Sequence, residues 1–128
     1  MLSEFVKTAD WKSEKHVPVI TCADAISANA PLEVTVTVGK ATSHPNTPGH
    51  HIVWIALHFV PAGTKISLEL ARCDLSAHGA FMDDAGGVAH TDSALDIHVR
   101  LATPGTLYAT AYCNLHGLWT SEKTIAVA

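Results

Sequence analysis

Charge is sparse in this 128-residue sequence: Asp, Glu, Lys and Arg make up 16% of it, and the net charge is −4 with histidine neutral. The eight Lys and Arg residues are scattered and form no run, which excludes the basic stripe of a general nucleic-acid binder. No apolar run reaches the length of a membrane span. The opening stretch MLSEFVKTADWKSEKH has neither a long apolar core nor a small-residue cleavage site, so it does not read as a signal peptide, and a soluble cytoplasmic protein is expected. Cysteine is scarce as well. Cys22, Cys73 and Cys113 are an odd set with no close pair, a poor disulfide framework that fits reduced thiols. There is no internal repeat, linker or low-complexity segment. The one helix candidate is residues 3–12, where Leu2, Phe5 and Val6 could pack inward, so a short N-terminal helix or turn is expected.

What is present is a folded chain, 48% apolar and of a length that fits a single domain. Period-2 alternation recurs along it. In LEVTVTV, Leu32, Val34, Val36 and Val38 share one face. KISLELA places Ile66, Leu68 and Leu70 on one face, and LDIHVRL does the same with Leu95, Ile97, Val99 and Leu101. TLYATAYC and KTIAVA are two further strands, and HIVWIALHFV is almost continuously apolar, as for a strand covered on both sides. Turn signals separate these runs: SHPNTPGH, PAGT, DDAGG and TPGT. The pattern predicts an all-β, antiparallel β-sandwich of about seven strands. Residues 72–93 carry the weakest pattern.

Three clusters hold chemistry. EKHVPVI contains Glu14, Lys15 and His16. SHPNTPGHH places His44 and His50 six positions apart across a proline-stiffened loop. CNLHGLW contains Cys113 and His116, a C-x-x-H spacing that lets a turn bring both side chains onto one ion, with Gly117 relieving backbone strain behind them. Together they offer four imidazoles and one thiolate. Structural zinc takes four ligands, usually rich in sulfur. Five donors with four neutral nitrogens suit iron better and leave one octahedral position free.

The strings EKHVPVI, HPNTPGHHIVWI and CNLHGLW resemble, in order, those of the superoxide reductases of the one-domain neelaredoxin type, related to the desulfoferrodoxins. The likeness runs from Glu14 to Trp119. It implies an immunoglobulin-like sandwich and a mononuclear non-haem iron, Fe2+/Fe3+, with His16, His44, His50 and His116 as equatorial ligands and Cys113 as the axial one. It also implies that Glu14 binds the sixth position of the oxidised iron and that Lys15 stands beside that position. The implied activity is one-electron reduction of superoxide to hydrogen peroxide. The implied partners are a rubredoxin-like electron donor and further copies of the chain, as a dimer or tetramer. No cysteine precedes Cys22, so the extra cysteine-rich iron domain of the desulfoferrodoxins is not expected, and residues 1–128 are read as one domain.

Other readings compete. A cupredoxin-like electron carrier also joins a β-sandwich to a Cys/His loop, but it wants two histidines and a nearby axial methionine. GLWTSEKTIAVA has no methionine, and Met1 and Met82 lie far away. A structural zinc module would have too many ligands, and a plain immunoglobulin-like binding module leaves the clusters unexplained. His51 follows His50 and points to the opposite face, so a packed role is expected. His58 is expected at a sheet edge, and His78, His90 and His98 lack spacing with any cluster. Cys22 and Cys73 read as small buried hydrophobes. Trp54 reads as a core residue, and Trp119 borders the candidate site.

Overall fold

The alternating runs fold as strands, and their apolar faces meet between two sheets. The computed structural model describes residues 1–80 and 87–128. These residues contain a 3-10 turn, Leu2–Glu4, and nine strands: β1 (Val6–Lys7), β2 (Pro18–Thr21), β3 (Ala25–Ile26), β4 (Pro31–Val38), β5 (Ile52–Pro61), β6 (Leu68–Asp74), β7 (Ala94–Arg100), β8 (Gly105–Cys113) and β9 (Gly117–Val127). The larger sheet has the order β1-β9-β8-β5-β6, with β3 also pairing with β9; the smaller has the order β2-β4-β7. The expected β-sandwich is therefore present. It exceeds the expected strand number because β1 and β3, two residues each, add parallel pairs on β9. Runs that short carry no periodic signal.

Leu32, Val34, Val36 and Val38 of β4 face Ile52, Ile55, Leu57 and Phe59 of β5 and Leu107, Ala109 and Ala111 of β8 in one buried cluster. Cys113 ends the inward-facing row of β8 and is 0% exposed. Strand alternation thus delivers its sulfur to the end of the sandwich.

Several expectations need correction. The N-terminal element is the turn and not the helix: the 3-10 turn gives way to β1, and Leu2 and Phe5 are 67% and 68% exposed instead of packed inward. The strand in KISLELA begins only at Leu68, and Ile66 is exposed. Trp54 is not in the core. A register shift between Ile52 and Trp54 changes the phase of β5, so the inward series runs Ile52, Ile55, Leu57 and Phe59. Trp54 lies on the outer face, stacked on Tyr112 at 6.0 Å and covered by the Arg72 guanidinium at 4.3 Å. His58 is not at an edge either, since β5 pairs with both β6 and β8 and its Nε2 faces Glu69 at 3.7 Å. Cys22 and Cys73 are half-buried and pack against the core, and burial pushes both thiols up. The DDAGG turn, apart from Gly87, and Met82 lie outside the described residues.

Candidate metal centre

Three connections at one end of the sandwich bring the clusters together. His16 closes the turn two residues before β2, and Pro18, the first residue of β2, restricts Val17 between them to extended backbone. His44 and His50 lie on the β4–β5 connection. Cys113 and His116 bracket the β8–β9 hairpin, where Cys113 pairs with Gly117. Two glycines make this possible. Gly117 closes the hairpin at φ +81°, a left-handed conformation that side chains disfavour. Gly39, also at φ +81°, lets the chain pass so close that a Cβ there would stand 2.5 Å from the backbone nitrogen of His44.

The four imidazoles form a square. Ring centroids around it are 4.7 Å (His16–His44), 4.7 Å (His44–His50), 5.0 Å (His50–His116) and 4.8 Å (His116–His16), with His16–His50 at 6.2 Å across the diagonal. Neighbouring rings stand edge-on, at 75°, 79°, 63° and 74°. The donor atoms of His16, His50, Cys113 and His116 all lie within 4.8 Å of one another. His44 joins this group through its ring contacts to His16 and His50. Cys113 Sγ is 3.8 Å from His116 Nδ1.

The nitrogens sort by role. His16 Nδ1 meets Glu14 Oε1 at 2.6 Å and His44 Nδ1 meets the Pro45 carbonyl at 2.7 Å, so each donates outward and turns Nε2 inward. Among the described residues, His44 Nε2 and His50 Nε2 are buried side-chain polar atoms with no hydrogen-bond partner. Two orphaned nitrogens side by side are costly unless something else satisfies them. His16 Nε2 stands 3.1 Å from His116 Nδ1, close to the roughly 3 Å between adjacent nitrogens that each bind one ion at about 2 Å. Orphaned donors, outward hydrogen bonds and a buried thiol together fit a bound metal cation. The nitrogen-rich donor set fits iron among the metals that imidazole suits.

His16 is held most firmly. Its backbone N–H also donates to Glu14 Oε1 at 3.1 Å, and Trp119 stacks on its ring at 4.9 Å and 15°. Trp119 Nε1 donates to the His116 carbonyl at 3.2 Å, and Lys7 Nζ sits 5.5 Å from the Trp119 ring. Spacing alone placed Trp119 only at the border of the site. The stack on His16 depends on β9 lying beside the chain that enters β2, which no local pattern encodes. Glu14 and Lys15 both reach this end of the molecule. The His16 hydrogen bond holds the Glu14 carboxyl below its ordinary value, against an opposing effect of desolvation. The charge of Lys15 acts on His44, His50 and Glu14.

The other histidines stay outside the square. His51 turns away, as expected, and stacks on His78 at 3.6 Å and 8°. His78 bonds Asn46 Oδ1 and the Leu75 carbonyl, His90 bridges to His78, and His98 faces Glu33 at 3.9 Å.

Burial pushes His44 down to about 4, and burial also lowers His50, with the His116 charge adding to it. Both therefore stay neutral near pH 7, as a metal requires. In metal-free protein the unfolded chain takes up a proton near 6.5 that folded His44 refuses until about 4. Its contribution is fully present above 6.5 and is lost as pH falls through that window. Urea unfolding of the chelated protein should show a midpoint that drops between about pH 7 and about pH 4. A flat or rising midpoint on acidification would contradict the burial of His44.

A β-sandwich that gathers four imidazoles and a thiol at one end defines a metal-binding protein of the His/Cys type. The chain belongs to the desulfoferrodoxin family, whose model matches residues 8–122. It is similar to neelaredoxin from Megalodesulfovibrio gigas, with 43% identity over 127 residues that cover 98% of each chain. A crystal structure of a Thermotoga maritima protein superposes with a TM-score of 0.94 at 41% identity, over 100% of this chain and 98% of that one. The superoxide reductase (neelaredoxin) of Archaeoglobus fulgidus in its reduced form superposes with a TM-score of 0.84 at 44% identity, over 95% and 98%.

Proposed function

We propose that this chain is a superoxide reductase, an oxidoreductase that converts superoxide, one electron and two protons into hydrogen peroxide. The observation that carries the reading is the square of imidazoles above a buried thiol, with two inward nitrogens that have no hydrogen-bond partner among the described residues. Superoxide reductases of this family use non-haem iron. In the proposed centre the imidazoles of His16, His44, His50 and His116 and the thiolate of Cys113 would hold that iron. A bound ferrous ion would supply the electron and a strong local positive charge for the anion. The set has twice the imidazoles of a blue-copper site, which weighs against the cupredoxin reading.

The chain's own residues set the conditions for that chemistry. His16 and His44 are buried, and His116 lies at the exposed edge through which an anion reaches the square. Superoxide and the protein share a sign, since the net charge is −4. The attraction must therefore be local, and Lys15 is the side chain that supplies it. Lys15→Ala should slow the bimolecular reaction by about three- to tenfold at low ionic strength and flatten its salt dependence. Rapid-mixing kinetics at several salt concentrations would measure this. An unchanged rate at low salt removes Lys15 from the reaction.

Glu14 is the proposed ligand to the oxidised iron. Its carboxylate accepts from His16 through Oε1 alone, which leaves Oε2 as the oxygen for that role. A rubredoxin-like protein is the proposed electron donor, and the proposed assembly is a dimer or tetramer of single-domain chains in the cytoplasm. No helix among the described residues is long and apolar enough to cross a membrane.

Metal content measured with a visible spectrum after oxidation tests the whole reading. About one iron per chain and a strong thiolate-to-iron band, hence a blue colour, are expected. A colourless zinc protein would overturn it.

A further inference from the structure

The pairing of β5 with β8 ends at Ile52 and Cys113, yet the two chains do not part there. Asn114 continues the contact in three ways. Its backbone N–H donates to the His51 carbonyl at 3.2 Å. Its side-chain Oδ1 accepts from the His51 N–H at 2.8 Å, and its Nδ2 donates to the Gly49 carbonyl at 3.0 Å. One primary amide thus uses its acceptor and its donor on the peptide groups just before and just after a single residue, His50. The peptide groups of His50 itself are taken by Thr47. The His50 N–H donates to the Thr47 carbonyl at 3.2 Å and to Thr47 Oγ1 at 3.1 Å, and the Thr47 N–H donates to the His50 carbonyl at 2.9 Å.

The His50 ring has no such hold. Its Nε2 is buried without a hydrogen-bond partner among the described residues, and its two ring neighbours in the square are imidazoles at 4.7 and 5.0 Å. The position of that nitrogen therefore depends on the backbone from which the ring projects. Asn114 is also the residue next to Cys113, so the same amide ties the hairpin carrying the thiol to the loop carrying His50.

We infer that Asn114 is a positioning residue for the metal centre: its amide clamps the backbone on both sides of His50 and thereby sets the distance from the His50 imidazole to the Cys113 thiol. This rests on the reading of the five donors as metal ligands. A ligand free to swing costs ordering entropy when the metal binds, and residues that orient ligands typically account for about ten- to hundredfold in metal affinity. The clamp therefore acts on affinity and on the metal–sulfur interaction before any turnover.

The test is cobalt(II) titration of metal-free protein, followed by the thiolate-to-cobalt charge-transfer band. The proteins compared are the wild type, Asn114→Ala, Asn114→Gln and Thr35→Ala. Asn114→Gln keeps the amide but carries it one methylene too far, and both Asn114 variants retain the backbone bond to His51. Thr35→Ala is the control, because it loses a 2.6 Å cross-strand bond to Asp96 within the smaller sheet. We expect both Asn114 variants to bind cobalt about ten- to hundredfold more weakly, with a shifted or weakened band, while Thr35→Ala matches the wild type. Affinity within about twofold of wild type in either folded Asn114 variant, with the same band, overturns the inference. So does failure of both to fold, judged by near-ultraviolet circular dichroism without metal, since Asn114 would then be a general structural residue. A wild-type protein that gives no thiolate band would instead overturn the metal-site reading beneath it.

Discussion

Cys113→Ala should lower the rate of superoxide reduction by about a hundredfold or more, a larger loss than removing an outer-shell partner causes. The thiolate-to-metal band should vanish with it. The substitution is mild for the fold. Cys113 is fully buried at the end of a row that includes Ala109 and Ala111, so alanine fits the pattern and removes a single heavy atom from the core. Serine is a poorer probe, because its hydroxyl would be buried in an apolar row and bring a desolvation cost of its own. The loss should therefore appear in chemistry and colour with only a modest change in stability. Stopped-flow kinetics with the visible spectrum of the oxidised protein measures both. A Cys113→Ala protein that keeps the band would show that the sulfur is not a ligand.

Leu107→Ala should do the opposite, cutting stability by about 2–5 kcal/mol while leaving the metal spectrum intact. A domain of this kind has about 5–15 kcal/mol in total, so the variant approaches the limit of folding at elevated temperature. Leu107 is 0% exposed and sits opposite Phe59 where two long strands, β5 and β8, meet. The alanine cavity cannot easily collapse there, because strands flank the site on both sides. It lies roughly 20 Å along β8 from Cys113, far enough for the two sites to act independently. Urea denaturation gives the stability change, with Leu115→Ala as the reference. Leu115 is 60% exposed, and its loss should cost no more than about 0.5 kcal/mol. A Leu107→Ala midpoint equal to that reference would mean that the core does not run through the centre of β8.

Both variants draw on parts of the protein that were legible without coordinates. The alternation in LEVTVTV, LDIHVRL and TLYATAYC marks β4, β7 and β8, because an apolar face every second residue is a local property of a strand. The candidate ligands are also local in sequence: a C-x-x-H hairpin, two histidines across a proline-stiffened loop, and a histidine in EKHVPVI, two residues before a proline. The weaker readings failed where a local signal was overruled. The apolar positions of residues 3–12 found no face to cover, so Leu2 and Phe5 remain exposed. Trp54 lost its place in the alternation with Ile52 when the β5 ladder slipped, and so changed faces.

Chain order and residue type by themselves determined a β-sandwich with four imidazoles and a thiol in three separate clusters at strand ends and loops, since strand period and loop chemistry need only near neighbours. Only the tertiary structure decided which nitrogen of each ring turns inward, that Trp119 stacks on His16, that His51 pairs with His78, and that the Asn114 amide spans His50. The last three join residues far apart in the chain, while the ring orientations of His16 and His44 are set by their near neighbours Glu14 and Pro45 once the fold holds those segments. Their geometry follows from a bulge, a hairpin and the packing of two sheets, which act on the whole fold and leave no trace in any short stretch of sequence.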